Sequence, residues 1–317
     1  MKVFVTGAAG LIGAALCRAL AARGDAVVAV VRGGVPRPAG ARTPPGAATA
    51  LAALPGVEVV DGDVLVPGPW SLALSGCDAV VHLAGESIGG KRWSRAWKER
   101  ILRSRVDGTR RVVAGIETCP ADRRPRALVV ASGADYYPFD DSERAYAEDA
   151  APGDTFLAQL CVAWQAEAEA VRARGVRVAC LRTGVVIGRG AEALARMATP
   201  FRLFAGGPVA GGRQWFSWVH LADVVAAYLH AVDGPAAAGP LNVVAPGSLR
   251  QADFAGALGA VLKRPSWAPV PALALRLAVG ELATYLAHGR KVVPAALEAQ
   301  GFRFRYPDAG AALAASF

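Results

Sequence analysis

A glycine-rich segment near the start of the chain has the residue types and the spacing of a phosphate-binding turn. Gly7, Gly10 and Gly13 follow a short apolar run at 1–6 and open a segment, 14–20, with the apolar spacing of a helix. Glycine lets the backbone turn tightly and approach a phosphate without a Cβ atom in the way. The open N–H groups and the dipole at a helix N-terminus favour an anion. A strand, a glycine turn and a helix in this order therefore predict a pyrophosphate site, with a tight turn that binds nothing as the alternative.

The elements that must position this turn follow from the apolar pattern. Strands are predicted at 26–31, 57–60, 79–83, 127–131 and 176–181, and helices at 93–116 and 155–174, the second of them capped by Asp154. Further helices are predicted at 191–204, 220–231, 251–262, 271–287 and 294–299. Alternating strands and helices predict an α/β fold with a Rossmann-type, doubly wound parallel sheet. We expect this sheet domain at 1–190 and a smaller substrate-binding lobe at 191–317, with some strands of the two interleaving.

The composition excludes several classes of protein. The chain has 317 residues, 53% of them hydrophobic, which suits one large α/β domain with an appended lobe. No apolar run reaches the roughly 18 residues that span a bilayer, and the early glycines interrupt any signal-peptide pattern. Five widely spaced cysteines and only four histidines indicate a reducing compartment and no structural zinc. We therefore expect a cytoplasmic protein with no membrane partner and no metal.

The net charge of +9 comes from 30 arginines and five lysines that are scattered along the chain. A nucleic-acid partner is not expected, because no long basic run and no alternation of basic and aromatic residues is present. An anionic cofactor or substrate accounts for part of the excess charge. A small-molecule substrate is the expected partner, and a homodimer is compatible with the sequence.

Several stretches resemble the extended short-chain dehydrogenases/reductases, and more narrowly an epimerase-like family often labelled sugar-nucleotide epimerase or cell-division-inhibitor-like. The stretches that carry the resemblance are 6–13, 63–64, 78–88, 91–93, 104–110, 181–186, 212–220 and 301–307. The resemblance covers nearly the whole chain and includes that family's C-terminal cap. It implies cofactor contacts at Gly7, Gly10, Leu11, Ile12, Gly13, Asp63, Val64, Leu83, Ala84, Gly85 and Thr183.

The residue after the second strand indicates which dinucleotide is bound. NAD-binding folds usually place an acidic residue here, on the ribose hydroxyls. This chain has Arg32 at that place, and no Asp or Glu occurs from Ala26 through residue 56. An arginine can pair with a 2′-phosphate and stack on adenine. The sequence therefore predicts NADP(H), with an ordinary surface arginine as the alternative.

Reductases of this superfamily generally use Tyr-xxx-Lys, and this chain lacks it. None of the five lysines has a tyrosine four residues before it. Cys161 takes the place of the tyrosine and Gln165 that of the lysine. A neutral thiol with no nearby cation is a poor proton donor, so Cys161 could be catalytic or only a small buried side chain.

Other candidates for chemistry lie after the fourth and fifth strands. Ser132 occupies the place of the superfamily's substrate-orienting serine. Tyr136 or Tyr137 could donate a proton from the following loop, or only pack over the nicotinamide. Glu86 could bind the nicotinamide ribose or the substrate, or be a solvated loop carboxylate.

A segment rich in tryptophan takes the place of the family's substrate loop. Arg213, Gln214, Trp215 and Trp218 would form an apolar pocket with a few orienting contacts. A structural hinge that packs on the two tryptophans is the alternative, and His220 could only cap the helix that follows it.

Three functions remain open from the sequence. The first is an NADP(H)-dependent oxidoreductase that acts on a small organic substrate. The second is a dinucleotide sensor without turnover, which the missing Tyr-xxx-Lys pair favours. The third is nucleotide-sugar epimerisation, which Arg32 and the missing tyrosine weaken.

Overall fold

The structure is a computed structural model that describes residues 1–33 and 46–317. Its strands are β1 Lys2–Thr6, β2 Ala26–Val31, β3 Val57–Asp61, β4 Ala79–His82, β5 Ala127–Gly133, β6 Ala145–Tyr146, β7 Arg177–Thr183, β8 Val185–Ile187, β9 Trp215–Phe216, β10 Trp218–His220, β11 Gly239–Val243, β12 Leu249–Arg250 and β13 Lys291–Val292. Its helices are α1 Leu11–Ala22, α2 Ala47–Ala52, α3 Arg95–Thr118, α4 Phe156–Glu169, α5 Glu192–Arg202, α6 Leu221–Asp233, α7 Gln251–Leu262, α8 Ala272–Val279, α9 Leu282–Ala287, α10 Ala295–Ala299 and α11 Ala309–Ser316.

Two compact units share these elements, and neither is a continuous stretch of chain. The first comprises Met1–Ser132, Leu160–Leu181 and Val225–Pro240. The second comprises Gly133–Gln159, Arg182–Val224 and Leu241–Phe317. A division into 1–190 and 191–317 stays a prediction about domains.

The seven-stranded sheet confirms the predicted α/β, Rossmann-type architecture. Its strand order is β11-β7-β5-β4-β1-β2-β3, so the direction of the strand order changes between β1 and its neighbour β4. The pairs β1–β2, β1–β4, β2–β3 and β4–β5 are parallel. Strands covered on both faces must be apolar throughout, and β1 and β2 are buried over nearly their whole length. Ligands of such sheets bind at the carboxyl ends of the strands beside this switch point.

The second unit is built from small sheets and short helices. It holds three two-stranded sheets, β10-β8, β12-β9 and β13-β6. Its apolar cluster contains Tyr137, Tyr146, Val244 and Val292, all buried.

Two local predictions are corrected by the structure. The apolar segment predicted as one helix at 271–287 is two helices, because Gly280 has a φ of 67° that a helix cannot contain. Thr155 rather than Asp154 caps α4, since its hydroxyl accepts a hydrogen bond from the Ala158 amide at 3.2 Å. The sequence from 33 to 56 is rich in Pro, Gly and Ala and predicts a long loop, of which residues 34–45 lie outside the described residues.

In the part of the chain that the structure describes, none of the helices has the length and apolar content needed to cross a bilayer. All five cysteines are buried and free of disulfide bonds. Across residues 1–33 and 46–317, no group of three or more His, Cys, Asp or Glu side chains is placed to hold a metal ion.

Candidate active site

The β1–α1 turn has the geometry that a bound pyrophosphate requires. Gly7 has a φ of +64°, and a Cβ atom there would lie 2.8 Å from the Leu83 carbonyl carbon. A Cβ atom on Gly13 would lie 2.3 Å from the Gly7 carbonyl oxygen, so Gly13 sets the close packing of helix on strand. Gly10 is exposed and stands at the N-cap of α1, where no side chain of the described residues caps the helix. The amides of Leu11 and of the residues after it can therefore donate hydrogen bonds to a bound anion.

A hydrogen-bond network holds the loop after β4 against this turn. The Thr6 hydroxyl accepts bonds from the amides of Leu83, at 3.2 Å, and Ala84, at 3.3 Å. It also lies 2.7 Å from His82 Nδ1. Burial lowers the pKa of His82 to about 4, so the imidazole is neutral near pH 7. The predicted cofactor residues of the two loops are thus brought together by Thr6 and His82, which sequence reasoning did not single out as positioning residues.

The predicted adenosine end of the site also assembles within the first unit. Arg32 is about one-third exposed, and its Nη1 lies 3.7 Å from Asp63 Oδ2 and 3.6 Å from Glu86 Oε1. The Asp61 carboxylate accepts a bond from the Gly33 amide at 2.7 Å and so fixes the chain after Arg32. Val64 is buried beside them. A guanidinium that is about one-third exposed at the end of β2 can receive a phosphate from solvent.

Glu86 is not a solvated carboxylate, which removes one alternative from the sequence analysis. Its side chain is only 4% exposed, and Oε1 accepts bonds from Arg100 at 3.1 and 3.3 Å. Its amide donates to the Ser104 hydroxyl, and its carbonyl accepts from Arg105. With Arg32 nearby, this carboxylate neutralises arginines around the cofactor loops. A substrate contact by Glu86 stays a prediction.

In the first unit, Ser132 at the end of β5 is connected to the face of α4 that carries Cys161. Gln165 Nε2 donates to Ser132 Oγ at 2.8 Å, so the residue in the lysine position holds the serine. Cys161 lies one helical turn before Gln165 and is 4% exposed. The premise that this thiol lacks a nearby cation is wrong, because Arg105 of α3 is close enough for an electrostatic interaction with it.

Tyr136 and Tyr137, both in the second unit, have different surroundings. Tyr137 is fully buried, donates to Asn242 Oδ1 at 2.7 Å and accepts from Arg182 at 2.8 Å. Burial raises its pKa to about 12. Tyr136 is half-buried, and the Arg182 guanidinium stacks on its ring at 3.4 Å. The geometry therefore favours a packing role for Tyr137 and leaves Tyr136 as the better placed of the two hydroxyls.

The segment predicted to bind substrate is mostly held by its own unit. Gln214 donates to the carbonyls of Val209 and Leu286, each at 2.9 Å, and is buried. Trp218 is 1% exposed, and Trp215 lies under the guanidinium of Arg250 at 3.9 Å. Such burial favours the hinge alternative for these three residues.

Three other residues for which the sequence suggested a role also lie in the second unit. Arg213 is exposed, and Thr183 ends β7 in a half-buried position. His220 caps the helix that follows it, because its Nδ1 accepts the Ala222 amide at 3.1 Å. Substrate contact by Arg213 and cofactor contact by Thr183 stay predictions.

This chain is similar in sequence to a known protein family. The model of the NAD dependent epimerase/dehydratase family matches residues 3–244, and a domain of unknown function (DUF1731) matches residues 270–316. The chain is 37% identical to a chloroplastic epimerase family protein SDR39U1 homolog of Arabidopsis thaliana, over 96% of this chain and 84% of that protein. It is 35% identical to human epimerase family protein SDR39U1, over 99% and 98% of the two chains.

Solved structures agree with the sequence relatives. The crystal structure of the human SDR39U1 protein (isoform 2) with NADPH matches with a TM-score of 0.84 and 34% identity, covering 100% of this chain and 99% of that one. A nucleoside-diphosphate sugar epimerase from Corynebacterium glutamicum matches with a TM-score of 0.75 and 30% identity, covering 100% and 58%.

Proposed function

Since the chain belongs to the NAD dependent epimerase/dehydratase family, we propose that it is an NADP(H)-dependent oxidoreductase that acts on a small organic molecule. The observation that carries the proposal is Arg32, about one-third exposed at the end of β2, the strand that pairs with β1 and its uncapped glycine turn. The human relative crystallised with NADPH supports the choice of cofactor. A bound nicotinamide would supply or accept a hydride.

The residues of the first unit would hold the dinucleotide in three places. The turn from Gly7 to Gly13 offers open amides to the pyrophosphate. Arg32 offers a bidentate donor to a 2′-phosphate, with Asp63 and Glu86 orienting its guanidinium before the phosphate binds. The loop at 83–85, fixed by Thr6, would line the path toward the nicotinamide.

Cofactor choice is tested by calorimetric titration of the wild type and two arginine variants with NADPH and NADH. We expect NADPH to bind at least about tenfold more tightly than NADH, because a desolvated arginine–phosphate pair contributes about 1.5–3 kcal/mol. Arg32→Ala should remove this preference and leave NADH binding nearly unchanged. Arg111→Ala, an exposed arginine on α3, is the matched control and should keep the preference. Equal affinities in the wild type would overturn the choice of cofactor.

The reaction is tested by following NADPH oxidation at 340 nm with panels of carbonyl, imine and enone compounds. Turnover of any panel member supports the oxidoreductase. Tight NADPH binding with no turnover favours the sensor, the second candidate, because the chain lacks Tyr-xxx-Lys. Interconversion of nucleotide sugars, read by NMR without net NADPH oxidation, would favour the epimerase that the family's description suggests.

A cytoplasmic location and a homodimer are part of the same proposal. The five buried cysteines form no disulfide bonds, which supports a reducing compartment. The Arabidopsis relative is named as chloroplastic. Size-exclusion chromatography with light scattering tests the assembly.

A further inference from the structure

We propose that Cys161 is the proton donor and acceptor of this enzyme, and that Arg105 is the positioning residue whose charge stabilises the Cys161 thiolate. This inference rests on the proposed oxidoreductase function. In this proposal the Cys161 thiol on α4 takes the role of the missing tyrosine, and the Arg105 guanidinium on α3 takes the role of the missing lysine. Gln165 does not take part in proton transfer and instead holds Ser132 by a hydrogen bond.

Within the first unit, one face of α4 carries Cys161 together with Gln165. Cys161, Trp164 and Gln165 are three and four residues apart, so they share one side of the helix. Gln165 fixes the direction of that side, because its amide reaches Ser132 at the end of β5 at 2.8 Å. Cys161 therefore faces the end of the sheet where ligands of this fold bind.

Arg105 of α3 lies against the same face of α4. Its guanidinium lies 5.2 Å from the centre of the Trp164 ring, and it is 9% exposed. Helices α3 and α4 run side by side here, since five residues further along α3 the guanidinium of Arg110 pairs with Glu167. On its other side Arg105 lies against Gly85, where an added Cβ atom would meet the guanidinium carbon at 3.2 Å. Arg105 thus stands between the predicted cofactor loop and the face that carries Cys161.

The charge of Arg105 interacts with both Cys161 and Glu86. Arg105 donates to the carbonyl of Glu86 at 3.0 Å, and burial lowers its pKa to about 10. The charges of Cys161 and Glu86 act in the opposite direction and favour the guanidinium cation. In general, a guanidinium cation beside a thiol favours the thiolate over the neutral thiol. At two other buried cysteines burial outweighs the nearby cations Arg18 and Lys2, and it raises the pKa of Cys17 to about 12 and that of Cys77 to about 11.

The proposed step balances in atoms and charge. In reduction of a carbonyl, NADPH would supply the hydride and be oxidised to NADP⁺. The hydride adds to the carbonyl carbon, and the electron pair of the C=O π bond moves to oxygen. The Cys161 S–H bond breaks, its proton goes to that oxygen, and its electron pair stays on sulfur beside Arg105. Water then returns a proton to the thiolate, and in the reverse reaction the thiolate takes the proton from the alcohol.

The test measures the pKa of each cysteine by NMR of protein labelled with carbon-13 at the cysteine Cβ atoms. We expect Cys161 to have the lowest pKa of the five. Arg105→Met should raise the Cys161 pKa by one unit or more, a tenfold change in its acid constant, and Arg105→Lys should restore part of the difference. Arg103→Met is the matched control, because Arg103 lies on the same helix, is 68% exposed and pairs with Asp107.

Two outcomes overturn the inference. In the wild type alone, a Cys161 that titrates no lower than Cys17 contradicts it, so the result does not depend on the folding of any variant. A folded Arg105→Met protein with an unchanged Cys161 pKa contradicts the role of Arg105.

Cofactor binding separates this inference from the proposed function. NADPH should bind wild type and Cys161→Ser with equal affinity, measured by calorimetry. A wild type that does not bind NADPH refutes the proposed function, whatever the cysteine titration gives. With a turned-over substrate, Cys161→Ala should lower kcat about 10²–10⁴-fold, and Arg105→Lys should shift the basic limb of the pH profile.

Discussion

At the scale of single residues, Tyr136 and Tyr137 are adjacent in sequence but differ in what holds them. The Tyr137 hydroxyl joins Asn242 and Arg182 inside the apolar cluster of the second unit. The Tyr136 ring instead lies against the face of the Arg182 guanidinium. A buried hydroxyl with two partners stabilises a fold and is poorly placed to exchange protons.

This difference predicts unequal effects of removing the two hydroxyls. Tyr137→Phe should lower the free energy of unfolding by about 1–3 kcal/mol, because two buried polar partners lose their bond. Tyr136→Phe keeps the ring on Arg182 and should change stability by less than about 0.5 kcal/mol. Urea denaturation of both variants measures the difference, and equal losses would contradict the assignment.

His82 predicts how stability depends on pH. Its pKa is lowered from 6.5 to about 4 in the folded protein, so between these values the unfolded chain binds more protons. Stability therefore falls as pH falls from about 6.5 toward 4, by up to about 1.4 kcal/mol per pH unit from this group. His82→Asn should flatten that dependence in urea titrations between pH 4.5 and 7. His288→Asn, at a 52% exposed histidine, is the control substitution.

At the scale of elements, the sequence predicted what periodicity and glycine spacing encode. The bounds of β2 agree with the predicted 26–31, and β4 and α7 agree to within a residue. The sequence did not predict the surroundings of side chains that are set by contacts with residues distant in sequence. The burial of Glu86 depends on Arg100 from α3, and the electrostatic partner of Cys161 comes from the same helix. No local pattern specifies which arginine of a 24-residue helix faces a given loop.

The β1–α1 turn separates a glycine needed for binding from one needed for packing. Gly10→Val places its Cβ atom 3.2 Å from the Gly7 oxygen, a tight contact that a small shift relieves, at an exposed position. We expect that variant to fold and to lose NADPH binding, because its side chain takes the space of the pyrophosphate.

Gly13→Val is the comparison, since its Cβ atom would lie 2.3 Å from the same oxygen. It should lower the unfolding free energy by more than about 3 kcal/mol, as overpacking against backbone does. Thermal unfolding measures the stability of both variants, and calorimetry measures their NADPH binding. A Gly10→Val protein that still binds NADPH would show that the turn is not the phosphate site.

At the scale of the whole molecule, the first compact unit depends on a segment from late in the chain. Val225–Pro240 belongs to it, and β11, which begins within that segment, forms one edge of the seven-stranded sheet. Arg177 of β7 donates to the carbonyls of Ala231, Val232 and Ala237 in this segment. A sheet that ended at β7 would expose the edge of β7, and the half-buried guanidinium of Arg177 would lose its acceptors.

The fragment 1–190 tests this dependence, because it ends where sequence reasoning divides the chain. It lacks β11 and the three carbonyl partners of Arg177, and it also loses the ion pair between Arg23 and Asp233. We expect it to show no cooperative urea transition and no NADPH binding by calorimetry. Restoring 225–240 as a separate peptide should not rescue it at micromolar concentration, since the chain connection supplies a high effective concentration of that segment. A fragment 1–190 that unfolds cooperatively and binds NADPH would show instead that the dinucleotide-binding sheet is complete without its edge strand.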